Sequence, residues 1–235
     1  MSETSLVLGV LGGMGPAATL EFLRQLQAFT PAQSDQDHIR VLMDLNPKAP
    51  DRNLPGSGAG AVLAEMAGAL AGAGAEVLAM PCNTAHAHAG LIQRASGLPL
   101  IDLIETGARA ARDLGARRVG VLGTKGAVRL YREYLAAQAM GLVSLDAERQ
   151  EEFMATIYKI KGGDLGAAVR LEMAGYAADL IAGGAEAVVA GCTEAPLVLS
   201  PADVRAPFID PGELLARRCV AICLGHEPVP SMPGA

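Results

Sequence analysis

The feature that most constrains this chain is that its pattern is written twice. Gly9-Val10-Leu11-Gly12, with Gly15 three residues on, returns as Gly120-Val121-Leu122-Gly123, with Gly126 three residues on, an offset of 111 residues (9 to 120). Gly74-Ala75-Glu76, an apolar run and Cys82 return as Gly184-Ala185-Glu186, an apolar run and Cys192, an offset of 110 (82 to 192). Pro99-Leu100-Ile101-Asp102 returns as Pro207-Phe208-Ile209-Asp210, an offset of 108 (99 to 207). Three landmarks in the same order at nearly the same spacing mark two similar halves. Within each half, short apolar runs alternate with helical stretches, as parallel α/β layers require. The expected fold is therefore α/β, with two pseudo-symmetric three-layer halves, mostly parallel sheets and the active site in the cleft between them. Residues 1–104 form the first domain, joined by a C-terminal helix over 212–235, and residues 105–211 form the second.

In the first half the pattern predicts strands over 6–11, 39–44 and 77–80 and helices over 16–29, 59–73 and 85–96. Pro16 suits the first turn of its helix, where no amide hydrogen is needed. Residues 46–58 hold three Pro and two Gly and read as a loop. In the second half, strands are expected over 119–122, 142–145 and 187–190. Helices are expected over 128–140 and 148–161, then a break at Gly162-Gly163, with Asp164 capping a further long helix. The tail from Glu227, with three Pro in nine residues, reads as irregular.

Composition narrows the function. The 235 residues are 51% hydrophobic, with four Phe, four Tyr and no Trp, so a large core must be built mainly from aliphatic side chains. A net charge of −6 and few aromatics argue against a nucleic-acid partner, which requires basic surface and stacking faces. An acidic small molecule is still compatible with that charge if cations stand inside the site. No apolar run reaches the roughly 18–20 residues that span a bilayer, so no membrane is expected. Glu3 precedes the first basic residue, Arg24, unlike the basic flank of a secretory signal. The expected compartment is the cytoplasm, where the four cysteines read as free thiols. Cys219 and Cys223, four apart in a helical stretch, read as buried small hydrophobes.

Cys82 and Cys192 read differently. Each follows a predicted strand, at the carboxyl end where open parallel sheets bind ligands. Two halves related by a pseudo-twofold would bring these ends to one cleft and set two thiols across one ligand. At the start of a helix such a thiol is expected to have a lowered pKa and to serve as a base. Asn83, Thr84 and His86 follow the first cysteine, and Thr193 and Glu194 the second. Inversion of a stereocentre through a planar intermediate needs a base on one face and an acid on the other, with the roles exchanged for the opposite enantiomer. Matched thiols meet that need. His86, four residues past Cys82, can pack beneath it or join the chemistry, and His88 reads as peripheral.

These segments resemble the aspartate racemase branch of the aspartate/glutamate/hydantoin racemase superfamily. Gly9-Val10-Leu11-Gly12-Gly13-Met14-Gly15-Pro16 is similar to its amino-terminal motif, Pro81-Cys82-Asn83-Thr84-Ala85-His86 to its first cysteine motif, and Gly191-Cys192-Thr193-Glu194-Ala195-Pro196-Leu197 to its second. The resemblance implies an amino-acid racemase in which Cys82 and Cys192 are catalytic acid and base, with no pyridoxal phosphate, other cofactor or metal. It implies that Asn83, Thr84 and Thr193, with backbone amides near Met14, hold the carboxylate and ammonium of the substrate. Pro50-Asp51-Arg52 is similar to the stretch that supplies a substrate-binding Arg, and Ile157-Tyr158-Lys159-Ile160-Lys161-Gly162 to one that supplies a Lys, here Lys161. Thr124 and Glu194 complete the implied substrate set. Ala127 departs from the family's usual Thr, three residues past Thr124. Glu194 fits the aspartate type, since glutamate racemases tend to carry His there. The substrate implied is an acidic amino acid, aspartate before glutamate, and the assembly a homodimer.

Three alternatives stand beside this reading. A nucleotide-binding oxidoreductase would use Gly12-Gly13-Met14-Gly15 as a dinucleotide turn and Asp44 as the ribose-binding acid. A cysteine-dependent isomerase or decarboxylase on the same scaffold would use one thiol, and a non-catalytic amino-acid-binding protein would use neither.

Overall fold

The computed structural model describes residues 5–54 and 56–232. It holds eight strands and eight α-helices among those residues. In chain order the first elements are β1 (Leu8–Gly12), α1 (Pro16–Phe29), β2 (Val41–Leu45), α2 (Ala59–Gly72), β3 (Val77–Ala79), α3 (Ala89–Ser96), β4 (Leu100–Ile101) and α4 (Leu103–Asp113). They are followed by β5 (Arg118–Val121), α5 (Lys125–Ala137), β6 (Gly141–Val143), α6 (Ala147–Lys161), α7 (Ala167–Ala182), β7 (Ala187–Val189), β8 (Phe208–Ile209) and α8 (Pro211–Cys223). No described helix is long and apolar enough to cross a membrane.

The strands form two four-stranded sheets, ordered β2-β1-β3-β4 and β6-β5-β7-β8, parallel throughout. The repeat extends to the register. Gly9 pairs with Leu78 and Leu78 with Leu100 in one sheet, while Gly120 pairs with Val188 and Val188 with Phe208 in the other. Strand β3 (VLA) and strand β7 (AVV) are fully buried, as parallel strands covered on both faces must be.

The repeated glycines have a packing reason. A Cβ on Gly9 would lie 2.7 Å from Leu78 Cδ2 and 2.8 Å from Ala75 Cβ, and one on Gly120 would lie 3.0 Å from both Ala185 Cβ and Leu180 Cβ. The end of a helix presses onto the central strand at equivalent points of both sheets, and a side chain there would force them apart. The acidic residue of the repeated Gly-Ala-Glu is a second matched device. A Glu76 oxygen accepts the Val7 amide hydrogen at 2.8 Å, and a Glu186 oxygen accepts that of Arg117 at 2.6 Å. Each carboxylate satisfies a main-chain donor just before the central strand.

The chain divides into two compact units. One runs to Leu103 and resumes at Gly212; the other is Ile104–Pro211. Helix α8 is anchored within the first unit, where the Leu6 amide donates to the Cys223 carbonyl at 3.0 Å and the Arg217 guanidinium covers the Phe29 ring at 3.8 Å. In the second unit α6 and α7 pack together. Phe153, Ile157 and Ile160 recur on one face of α6, and Val169, Met173, Tyr176 and Leu180 on one face of α7. Phe153 meets Tyr176 edge to face at 5.7 Å between ring centroids. Each such fully buried Phe or Ile contributes about 1.5–3 kcal/mol. The same packing fixes the end of α6, where Lys161 stands.

Several boundaries differ from the sequence expectation. The stretch expected as one helix over 85–96 is a 3-10 turn, Thr84–His88, followed by α3. Helix α5 starts at Lys125 rather than 128, because the Thr124 side chain accepts the Ala127 amide hydrogen and supplies the cap. Asp164 does not cap α7. Its Oδ1 accepts the Gly166 amide hydrogen at 3.0 Å in the preceding turn, and the helix begins at Ala167. The tail forms no regular element through residue 232, yet Glu227 pairs with Arg218 at 2.7 Å.

Candidate active site

Both cysteines stand just past the carboxyl end of the third strand of their sheet, Cys82 after β3 and Cys192 after β7. Strand order places β3 and β7 next to the central strands, so the chain leaves each sheet there at a matched point. Both residues are almost buried, at 6% and 7% exposure, and all four cysteines are free thiols. Their polar neighbours are buried with them: Asn83, Thr84 and His86 beside the first, Thr193 and Glu194 beside the second.

In the first unit, Cys82 is held through its backbone. Its amide donates to the Met80 carbonyl at 2.8 Å, and its own carbonyl lies 2.9 Å from His86 Nδ1. The Leu103 amide donates to His86 Nε2 at 3.1 Å. A nitrogen that accepts an N–H carries no hydrogen, so the ring hydrogen sits on Nδ1 and is donated to the Cys82 carbonyl. His86 thus has both nitrogens on backbone groups and clamps the cysteine loop to the start of α4.

Arg52 lies in the long loop of the same unit. Its Nη1 donates to the Pro50 carbonyl at 3.0 Å and the Ala49 carbonyl at 3.3 Å, and its Nη2 to the Met14 carbonyl at 3.2 Å. These bonds orient the guanidinium and tie it to the glycine motif, while its Nε is buried without a hydrogen-bond acceptor. Met14 is buried at 3% exposure, in the cluster that contains Cys82.

The glycine turn makes close local contacts. The Gly13 amide already donates to Thr19 Oγ1 at 2.9 Å, and a Cβ on Gly13, whose φ is +92°, would lie 2.5 Å from the Asn46 backbone. The turn is thus tied both to α1 through Thr19 and to the Asn46 backbone.

In the second unit, three of the expected residues come together. Cys192 Sγ donates to Glu194 Oε2 at 2.9 Å, and Lys161 Nζ donates to Glu194 Oε1 at 2.5 Å. The Glu194 side chain is 3% exposed and that of Lys161 28%. Burial pushes the Cys192 thiol well above its usual range, and the Glu194 carboxylate adds to the rise, against an opposite pull from Lys161. This reverses the expectation of a lowered pKa. The segment after Cys192 is a single 3-10 turn, Ala195–Leu197, too short to present a helix dipole, and a carboxylate stands where a positive end was expected. Thr124, buried at the start of α5, and Thr193 lie in the same unit.

Gln150 was not singled out by the sequence. It occupies the buried face of α6 and donates through Nε2 to the Gly123 carbonyl at 3.1 Å, tying that helix to the repeated glycine motif. A polar residue on the stripe Gln150, Phe153, Ile157, Ile160 was the available signal.

Each unit of this duplicated parallel α/β chain thus carries a buried thiol at the matched strand end, set among buried polar groups. The sequence pattern of the Asp/Glu/Hydantoin racemase family matches residues 11–219, and the chain belongs to that family. Over 231 residues it is 25% identical to the broad specificity amino-acid racemase RacX of Bacillus subtilis, covering 94% of this chain and 100% of that one. Its fold matches the Picrophilus torridus aspartate racemase with a TM-score of 0.79 and 26% identity, over 94% of both chains. An aspartate racemase homologue from Pyrococcus horikoshii matches with a TM-score of 0.75 and 26% identity, over 92% of this chain and 98% of that one. The chain is an isomerase of the amino-acid racemase type.

Proposed function

We propose that the chain racemises an acidic amino acid, aspartate before glutamate, by moving the α-proton between Cys82 and Cys192 without a cofactor. The observation that carries this reading is the matched placement of the two thiols, each following the same strand of the same four-strand pattern. One thiolate removes the α-hydrogen as a proton while the opposite thiol delivers its own proton to the other face of the carbon. The thiol and thiolate exchange identities, and charge is conserved. The carbanion-like state needs donors on the α-carboxylate, each well-placed donor contributing about 3–4 kcal/mol. Asn83, Thr84, Thr124, Thr193 and the backbone near Met14 are the groups we assign to the carboxylate and ammonium.

Arg52 is assigned to the side-chain carboxylate. Its guanidinium is already oriented by three carbonyls, and a planar fork suits a carboxylate better than an ammonium does. Lys161 supplies a second positive charge. Glu194, grouped with the substrate residues by the resemblance, bonds Cys192 itself. Similarity to an aspartate racemase and to a broad specificity racemase supports the acidic substrate and leaves room for others. A cytoplasmic homodimer that binds neither nucleic acid nor membrane belongs to the same reading. The test is a panel of single L-amino acids incubated with the enzyme in D₂O, following α-deuteration and optical inversion. Aspartate leads the panel with glutamate second; inversion confined to neutral amino acids would overturn the substrate assignment.

A further inference from the structure

The two thiols have unlike partners, and the difference bears on which one begins the cycle as donor. Cys192 lies 2.9 Å from a buried carboxylate that is itself held by Lys161. Only the protonated thiol can donate that hydrogen bond, and a thiolate in its place would face the carboxylate charge at hydrogen-bond distance. Glu194 accepts from the Lys161 ammonium through its other oxygen, so both of its oxygens serve as acceptors. At Cys82 the residue equivalent to Glu194 is Thr84 (84 to 194, an offset of 110), which carries no charge. The nearest ionisable ring, that of His86, is bound to backbone groups at both nitrogens.

We infer that Glu194 is a positioning residue that, held by Lys161, keeps Cys192 as the protonated member of the pair, so that the resting enzyme has Cys192 as proton donor and Cys82 as base. The inference rests on the two-thiol reading above and adds an order to it. In the first half-cycle Cys82 thiolate takes the α-proton and Cys192 gives its thiol proton to the opposite face, leaving Cys82 as thiol and Cys192 as thiolate. Repulsion from Glu194 then drives Cys192 to recover a proton from water, and Cys82 returns one to water. The enantiomer that needs Cys192 as base must use the less populated form.

The charged groups facing Cys192 are Glu194 from its own loop and Lys161 from the end of α6. Alkylation by iodoacetamide, followed at Cys192 by peptide mapping, reads its thiolate fraction without turnover. In Glu194→Gln, which removes the charge and keeps the shape, Cys192 should alkylate about tenfold faster or more at neutral pH. In Glu194→Asp, which keeps the charge, the rate should stay within about threefold of wild type, since most of the like-charge repulsion persists. An unchanged rate in Glu194→Gln overturns the inference, and so does equal acceleration in both variants, which would signal loosened packing. If neither variant folds, the unmodified chain decides: Cys192 alkylation should still be climbing beyond pH 9, and a plateau at neutral pH overturns the inference.

A second readout uses activity. The alkaline limb of kcat/KM marks loss of the one proton the pair must keep. Glu194→Gln should move that limb to lower pH, equally in both directions, because enantiomers have equal free energy. A fall in kcat with the limb unmoved would make Glu194 merely structural. Full racemisation by either Cys82→Ser or Cys192→Ser would sink the two-thiol reading itself, whatever alkylation reports.

Discussion

After β3 the chain passes through Cys82 into a 3-10 turn and the α3 helix; after β7 it passes through Cys192 into a shorter 3-10 turn and a loop. The backbone devices are shared up to the cysteine, including the glycine contact at the central strand and the Glu76 and Glu186 ties. Beyond it they diverge. The first loop is secured by a histidine on main-chain groups, the second by a carboxylate and an ammonium acting at the sulfur. The duplicated scaffold delivers two thiols to matched strand ends, and the unmatched residues after them set different electrostatic surroundings. In the two-thiol reaction proposed above, a symmetric inversion would thus be served by a chemically asymmetric pair.

The largest effect should come from the thiols. Cys82→Ser and Cys192→Ser should each lower racemisation by about 10²–10⁴-fold, the contribution expected of a positioned acid or base, measured by α-hydrogen exchange and polarimetry. Near-normal turnover in either would break the matched-pair comparison. Next comes the clamp found only in the first unit. His86→Ala leaves a buried amide and carbonyl without partners and should cost about 2–4 kcal/mol in urea unfolding. A loss below about 1 kcal/mol would mean that the ring is not the anchor its geometry describes.

The glycine pair sharpens the comparison further. Gly9→Ala meets neighbours at 2.7 and 2.8 Å, whereas Gly120→Ala meets them at 3.0 Å. Both should destabilise, by about 1–3 kcal/mol, with Gly9→Ala the worse; the reverse order in urea midpoints would contradict the packing account.

The smallest effect concerns the loop that replaces α3 in the second unit. Asp203 there bonds Arg170 and Ser200, and the Arg170 guanidinium, then the Ser200 hydroxyl and amide, hold its carboxyl down to about 2. A depressed carboxyl adds stability above its ordinary value of 3.8 that is lost as pH falls toward 2. Asp203→Asn should therefore be less stable than wild type at neutral pH, with the two converging as pH drops through that window. A gap that stays constant down to pH 2 would show that the carboxylate charge is not what matters.

Much of the fold was legible because it depends on local chemistry repeated at a fixed interval. Buried strands need apolar runs, close helix contacts need glycine, and Pro16 and Gly58 stand at helix starts where their backbones fit. Boundaries were less legible where a side chain several residues away decides them, as Thr124 does for α5. Asp164 looked like a cap in sequence, but its carboxylate closes the turn two residues ahead of the cap position. The cysteines were legible as matched residues because the repeat places them. Their surroundings were not.

By itself, then, the sequence determined a duplicated parallel α/β chain with thiols at equivalent strand ends, since pattern and interval suffice for that. Only the tertiary structure decided that Glu194 bonds Cys192 and Lys161, 33 residues from Glu194 in the chain, and that His86 turns to the backbone. Those outcomes depend on which helix end packs beside which loop. Burial itself lifts the Cys192 thiol most, and the Glu194 carboxylate that packing brings beside it adds to the rise.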